Sequence, residues 1–143
     1  MFERILIVCV GNICRSPVAE ALFQASCPTK RFASAGLAGL SGSAAAPYAI
    51  EVAKAHGIDL SAHVARRISQ ADMLSADLVL CMEHSHVSSL KEGYPFCAGK
   101  VFLIGHWEND KEIIDPYRRP KEAFDEMFAH LRVSVSEWVK HLA

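Results

Sequence analysis

The chain has 143 residues, 51% of them hydrophobic, and 15 Lys and Arg balance 16 Asp and Glu to a net charge of −1. This composition excludes a disordered chain, a membrane-spanning chain and a basic nucleic-acid-binding surface, so we expect no nucleic-acid partner and no membrane insertion. One domain over residues 1–143, acting as a monomer, fits this length. Five cysteines without the spacing of a secreted scaffold, and no leader pattern, indicate the cytoplasm.

Apolar runs alternate with helical patterns along the first half of the chain. Residues 4–10 are continuous and β-branched, as is typical of a buried strand, and residues 17–26 begin with a proline suited to a first helical turn. A second strand is predicted over residues 31–35. A second helix is predicted over residues 47–56, with Gly57 as its stop.

The second half continues this alternation. The pattern predicts, in order, a helix from the cap Ser69 to Leu74, a strand over 77–82, a helix over 83–90, a strand over 101–104, a long polar loop over 105–120, and a last helix with an apolar stripe over 124–142. Strands that alternate with helices predict an α/β fold. We expect a small doubly wound, four-stranded parallel sheet with helices on both faces.

The segment between the first strand and the first helix carries the chemistry. A helix N-terminus after a tight loop binds tetrahedral oxyanions, because unpaired N–H groups converge there. Arg15 can place two hydrogen bonds on two phosphate oxygens, and the same field favours a thiolate at Cys9. Gly11 allows a left-handed backbone or a close approach. The spacing Cys-x5-Arg alone is weak, since a buried strand cysteine before an ordinary loop would also produce it.

The full run Cys9-Val10-Gly11-Asn12-Ile13-Cys14-Arg15-Ser16-Pro17 resembles the signature of the low-molecular-weight protein tyrosine phosphatases. The resemblance covers nearly the whole chain and is greatest to bacterial members. It implies a phosphatase I-like fold with strand order 2-1-3-4. It also implies that phosphate is bound by the loop residues Val10, Gly11, Asn12, Ile13, Cys14 and Ser16.

The resemblance assigns the catalytic roles. Cys9 attacks phosphorus to give a phosphocysteine, Arg15 holds the charge, and no cofactor or metal is required. Asp115 is the expected acid, since Asp115-Pro116-Tyr117 resembles the family's acid motif. Protonating a phenolic leaving group is worth about 10²–10⁴ in rate. Without the Cys9 motif, Asp-Pro would be an ordinary loop dipeptide.

Further residues match supporting positions. Ser34 and His63 are expected to join Asn12 and Ser16 in a hydrogen-bond network behind the loop. Cys14 is either a buried packing residue or a resolving thiol that pairs with oxidised Cys9.

The cleft walls are expected at Leu40 and Tyr117. Leu40 lies in the Gly/Ser-rich segment 36–43, which reads either as a flexible connector or as a wall of the cleft. Bacterial relatives with an aliphatic wall residue often act on tyrosine autokinases of capsule or exopolysaccharide export. The expected partner is therefore a phosphotyrosine protein, with such a kinase as the specific candidate.

Three alternatives stay open on the sequence. An arsenate reductase uses the same motif but needs two further relay cysteines, and Cys81 and Cys97 are too far apart for that pair. A phosphotyrosine-binding module would have no use for Asp115. A metal-binding regulator lacks ligand spacing, because His84 and His86 stand alone and read as surface residues of a helix.

Overall fold

The computed structural model describes residues 2–38 and 40–142 of the chain. Its elements in order are β1 Arg4–Cys9, α1 Arg15–Ser26, β2 Arg31–Gly36, α2 Pro47–Ala55, α3 Gln70–Ser75, β3 Leu78–Cys81, α4 His84–Gly93, β4 Val101–Leu103 and α5 Lys121–Val139. Within these described residues, no helix is both long and apolar enough to cross a membrane.

The four strands form one parallel sheet in the order β2-β1-β3-β4, so the predicted fold class and strand order are confirmed. β1 is central, and Ile7 lies opposite Ser34 on one side and Leu80 on the other. Because both neighbours run parallel to β1, their carboxyl ends meet at the same edge of the sheet, where loops after strands bind ligands.

Two apolar layers cover the sheet, one on each face. Successive side chains of β1 point to opposite faces, so Ile5 and Ile7 join one core cluster and Leu6 and Val8 the other. The first cluster is closed by apolar side chains of α1, α2 and α5, and the second by side chains of α3 and α4. Helices on both faces were expected for a parallel sheet, and the structure confirms them.

Some boundaries differ from the prediction. The last helix begins at Lys121, directly after the predicted loop 105–120, but that loop contains a 3₁₀ turn over His106–Glu108. A second 3₁₀ turn, Pro95–Lys100, precedes β4. Such short turns carry no long apolar period, so periodicity could not find them.

Gly36 ends β2 where no side chain fits. A Cβ on Gly36 would lie 2.6 Å from the carbonyl oxygen of Val10 and 3.1 Å from the carbonyl carbon of Gly11. We expect Gly36→Ala to lower the free energy of unfolding by about 1–3 kcal/mol, because these neighbours are backbone atoms that must shift. Urea unfolding measures the loss. The control is Gly99→Ala, whose Cβ meets nothing within 4 Å, and equal stability of the two variants would contradict the prediction.

Candidate active site

The loop over residues 9–15 joins β1 to α1 at the carboxyl edge of the sheet. Cys9 is its first residue and is 3% exposed, and Arg15, 1% exposed, is the first residue of α1. The expected nucleophile and phosphate-binding arginine therefore lie at the two ends of one buried loop.

Asn12 gives the loop its shape. It has a φ of 58°, in the left-handed region, and is completely buried. Its Nδ2 donates to the hydroxyl oxygens of Ser16 at 2.8 Å and Ser34 at 2.9 Å. Its Oδ1 accepts from the backbone N–H of Arg66 at 3.1 Å, and its main-chain oxygen lies 2.7 Å from Nε2 of His63. Every polar group of the Asn12 side chain is thus used to hold an unfavourable backbone conformation.

Gly11 was expected to allow either a left-handed backbone or a close approach, and the structure shows the close approach. The positive φ is at Asn12, whose short polar side chain bonds locally and tolerates this region. Gly11 serves instead the second expected purpose, close approach, since a Cβ there would lie 2.8 Å from Cδ1 of Leu40.

The donor and the acceptor can be assigned for the hydrogen bonds behind the loop. The Ser34 hydroxyl donates to Oε1 of Glu20 at 2.5 Å, because an ionised carboxylate only accepts. The Ser16 oxygen accepts from Asn12 and lies 2.9 Å from Sγ of Cys9. Its O–H is therefore free to point at the sulfur, and a hydrogen bond to a thiolate stabilises the charged form. Sequence reasoning missed Glu20, although it follows Ser16 by four residues and so lies on the same helix face.

Four carbonyl groups of the loop are turned away from its centre and bound to donors outside it. The pairs are Cys9 with the N–H of Leu37 at 2.9 Å, Val10 with that of Ala38 at 2.9 Å, Asn12 with His63, and Ile13 with the N–H of Ala46 at 2.8 Å. The C=O and N–H of a peptide group point in opposite directions. Because these oxygens are turned outwards, the N–H groups of the same peptides face the inside of the loop.

The Arg15 guanidinium is held along one edge. Its Nη1 donates to Oε2 of Glu83 at 2.6 Å and to the main-chain oxygen of Ile113 at 2.8 Å. A guanidinium has five N–H donors, so Nε and Nη2 remain available for an anion. Glu83 lies two residues after the end of β3, at the carboxyl edge of the sheet. This position could have identified it from the sequence. Ile113 contributes only its main-chain oxygen, so its residue type in the sequence does not indicate this role.

Asp115 lies on the far side of this guanidinium. Its Oδ2 is 3.6 Å from Nη2 of Arg15, and its Oδ1 accepts from the N–H of Tyr117 at 3.1 Å. The segment that carries Asp115 is anchored to the sheet, since Ile113 donates to the Met82 carbonyl at 3.0 Å. The side chain of Asp115 is 45% exposed, so it reaches both the cleft and the solvent.

An open cleft joins these groups. The residues lining it are Cys9, Val10, Gly11, Ile13, Cys14, Arg15, Leu40, Asp115 and Tyr117. Its floor is the thiol and guanidinium, and its upper walls include the half-exposed side chains of Leu40 and Tyr117. Segment 36–43 therefore contributes to the cleft, although Gly39 lies outside the described residues.

Three of the other four thiols, Cys14, Cys81 and Cys97, are buried, and Cys27 is partly exposed. Burial, followed by the nearby charges of Cys9 and Asp115, raises the pKa of Cys14 to about 12, so it stays a neutral thiol at pH 7. Burial also raises the pKa of Cys81 to about 12, and Cys81 and Cys97 are both completely buried. A thiol relay to the surface, as an arsenate reductase needs, finds no support in this arrangement.

The interpretation of both histidines of α4 as surface residues is wrong for His86. His84 is exposed, whereas His86 is 4% exposed, and its Nδ1 has no hydrogen-bond partner among residues 2–38 and 40–142. Burial and the Arg15 charge lower the pKa of His86 below its usual value, although Glu83 opposes the shift. The imidazole is therefore neutral at pH 7.

Comparison with known proteins follows this geometry. The family model described as "Low molecular weight phosphotyrosine protein phosphatase" matches residues 4–143. The chain belongs to this family of protein-tyrosine phosphatases.

Its similarity is to the Wzb type of these phosphatases. The low molecular weight protein-tyrosine-phosphatase Wzb of Escherichia coli K12 is 47% identical over 99% of this chain and 97% of its own length. A Vibrio vulnificus Wzb structure in complex with benzylphosphonate has a TM-score of 0.96 at 41% identity and covers 99% of this chain and all of its own. The tyrosine phosphatase AmsI of Erwinia amylovora also has a TM-score of 0.96, at 40% identity, over all of this chain and 95% of its own.

The hydrogen bond between Asn12 and Ser34 provides a stability test. Ser34→Ala leaves one buried N–H of Asn12 without an acceptor, which costs about 1–3 kcal/mol. We expect the free energy of unfolding to fall by that amount in denaturant titration. Ser88→Ala, at an exposed position of α4, is the matched control and should be neutral. A loss in Ser34→Ala no larger than in the control would show that the network adds nothing.

Proposed function

We propose that the protein hydrolyses phosphotyrosine in protein substrates through a covalent phosphocysteine at Cys9. The observation that carries this proposal is the convergence of three groups on one cleft: the Cys9 thiol, the free edge of the Arg15 guanidinium and the Asp115 carboxyl. A nucleophile, a cation and a proton donor around one point are what cleavage of a phosphate monoester requires.

The first step transfers the phosphoryl group to sulfur. The Cys9 thiolate attacks phosphorus, and the bond between phosphorus and the phenolic oxygen breaks. Asp115 gives its proton to that oxygen, so that tyrosine leaves neutral. Nε and Nη2 of Arg15 bind two non-bridging oxygens, and the inward N–H groups of the 9–15 loop bind the third.

The second step returns the enzyme to its starting state. Asp115, now a carboxylate, takes a proton from water while the water oxygen attacks phosphorus. The bond between sulfur and phosphorus breaks, the Cys9 thiolate is restored, and inorganic phosphate leaves. The Ser16 hydroxyl supports the sulfur as a leaving group, because its O–H points at Cys9.

An aryl phosphate is the substrate class that fits the cleft. Apolar atoms of Val10, Ile13, Leu40 and Tyr117 stand above the polar floor, and a phenyl ring spans the distance that the shorter serine side chain does not. The Wzb of Vibrio vulnificus is described in complex with benzylphosphonate, an aryl analogue of this kind. We expect the reaction to occur in the reducing cytoplasm, where a thiolate survives.

We infer that the physiological substrate is a bacterial tyrosine autokinase of polysaccharide export. This partner rests on the similarity to Wzb and AmsI proteins.

Hydrolysis of para-nitrophenyl phosphate tests the mechanism. In the presence of chelator, we expect the wild type to turn over and Cys9→Ser to be inactive, because a hydroxyl is not ionised there. Asp115→Asn should lose about 10²–10⁴ in kcat/KM on phenyl phosphate, and less in kcat/KM on the nitrophenyl ester, whose leaving group needs less protonation. An equal loss of Asp115→Asn on both esters would remove Asp115 as the acid. An inactive wild type that still binds phosphate would overturn the hydrolase assignment.

Phosphopeptide kinetics test the partner. We expect kcat/KM on a phosphorylated autokinase tail to exceed that on phosphotyrosine peptides of unrelated sequence by about tenfold or more, as 1.4 kcal/mol of extra contact would give. Peptides with scrambled flanks of the same composition are the control. Equal values for tail and scrambled peptides would contradict an autokinase-specific role and leave the phosphatase activity untouched.

A further inference from the structure

A buried histidine stands behind the arginine of the cleft. Nε2 of His86 lies 3.5 Å from Oε2 of Glu83, and the same Oε2 accepts from Nη1 of Arg15 at 2.6 Å. His86 therefore contacts Glu83, and Glu83 in turn contacts Arg15, so the three side chains connect α4 with the cleft. Arg15 and His86 are each at least 95% buried, so water cannot substitute for lost partners in these contacts.

The contacts of His86 define its tautomer. A neutral imidazole has one N–H donor and one acceptor nitrogen. Nε2 faces the carboxylate of Glu83, so a proton on Nε2 is favourable and a lone pair there would be repelled. Nδ1 is buried without a partner, and a buried lone pair costs less than a buried orphan N–H. The proton therefore lies on Nε2, directed at Glu83.

Charged groups around the imidazole come from three elements. Arg15 at the start of α1 opposes a positive charge on His86. Glu83 at the start of α4, and Asp115 and Glu112 from the segment before α5, favour one. Burial and Arg15 outweigh the carboxylates, so the pKa of His86 is lowered and the group acts as a neutral donor through the range above pH 6.5.

Glu83 needs such a donor. Its side chain is 32% exposed and sits at the end of a flexible stem, while Arg15 is nearly inaccessible. Glu83 holds Nη1, and this contact decides which edge of the guanidinium faces the cleft. A carboxylate free to rotate into solvent would leave Nη1 with the Ile113 carbonyl as its one remaining partner, and the guanidinium could then turn more easily.

We propose that His86 is a positioning residue, which restrains the Glu83 carboxylate through Nε2–H and so keeps Nε and Nη2 of Arg15 directed at the phosphate. The inference rests on the proposed function, since it assumes that Arg15 binds the phosphoryl group. His86 itself touches neither substrate nor sulfur.

Two variants separate positioning from packing. His86→Leu fills space but cannot donate, whereas His86→Gln places an amide N–H near the position of Nε2. At pH 7.0 we expect the dissociation constant for inorganic phosphate, measured by calorimetry, to rise about 3–10-fold in His86→Leu, in line with one net hydrogen bond. The value of kcat/KM for para-nitrophenyl phosphate should fall in parallel. His86→Gln should restore both to within about twofold of the wild type.

The pH profile supplies a readout that packing would not move. Below pH 6.5 the wild-type imidazole begins to bind a proton on Nδ1, and the cation then competes with Arg15 for Glu83. We expect phosphate affinity of the wild type, relative to His86→Gln, to fall as pH decreases from 6.5 to 5. A constant ratio of the two affinities over this range would count against the proposal.

A double-mutant cycle tests the route through Glu83. In a Glu83→Gln background, His86→Leu should cause no further loss of phosphate affinity, because the group that it restrains has changed. An undiminished loss in that background, or a lowered melting temperature with unchanged phosphate affinity, would overturn the proposal. Calorimetry with Cys9→Ser keeps the test independent of turnover. An inactive wild type would refute the proposed function, whereas unchanged binding in His86→Leu would refute this inference alone.

Discussion

The left-handed conformation of Asn12 is the constraint on which the cleft depends. A backbone of this kind is unfavourable for a residue with a side chain. It persists because Asn12 donates to Ser16 and Ser34, accepts from the N–H of Arg66 and contacts His63 through its main-chain oxygen. The same conformation reverses the chain between Cys9 and the first turn of α1. The carbonyls of the loop consequently face outwards to their partners and the N–H groups face inwards.

A second constraint is the burial of the Arg15 charge. A buried guanidinium is costly unless it is paired and fully hydrogen-bonded, and Glu83 with the Ile113 carbonyl supplies that pairing on one edge only. The other edge is left for an anion and for Asp115. One carboxylate, Glu83, therefore holds one edge of the arginine, and a second, Asp115, lies 3.6 Å from Nη2 on the cleft side, where we propose that it transfers the proton.

The sequence allowed the sheet, its helices and the loop after β1 to be predicted, because strand periodicity and the run from Cys9 to Pro17 are local signals. The partners of Arg15 could not be predicted, since Glu83 and Ile113 are 68 and 98 residues away and one of them contributes only a carbonyl. The sequence left Gly11 open between a left-handed backbone and a close approach, and only the structure shows that Asn12 has the positive φ while Gly11 provides the close approach. His86 was misplaced because a short helix with few apolar residues gives no clear buried face.

The outward carbonyls have a thermodynamic consequence. Their partners are Leu37 and Ala38 after β2, Ala46 just before α2, and the His63 side chain. The loop is therefore held in shape by contacts that form when the whole molecule folds. The conformational entropy of arranging the donors is lost once, at folding, so an anion loses little more on entry. Binding and folding are then linked equilibria. Under the proposed mechanism inorganic phosphate binds this loop as the product of hydrolysis, so phosphate is expected to stabilise the native state.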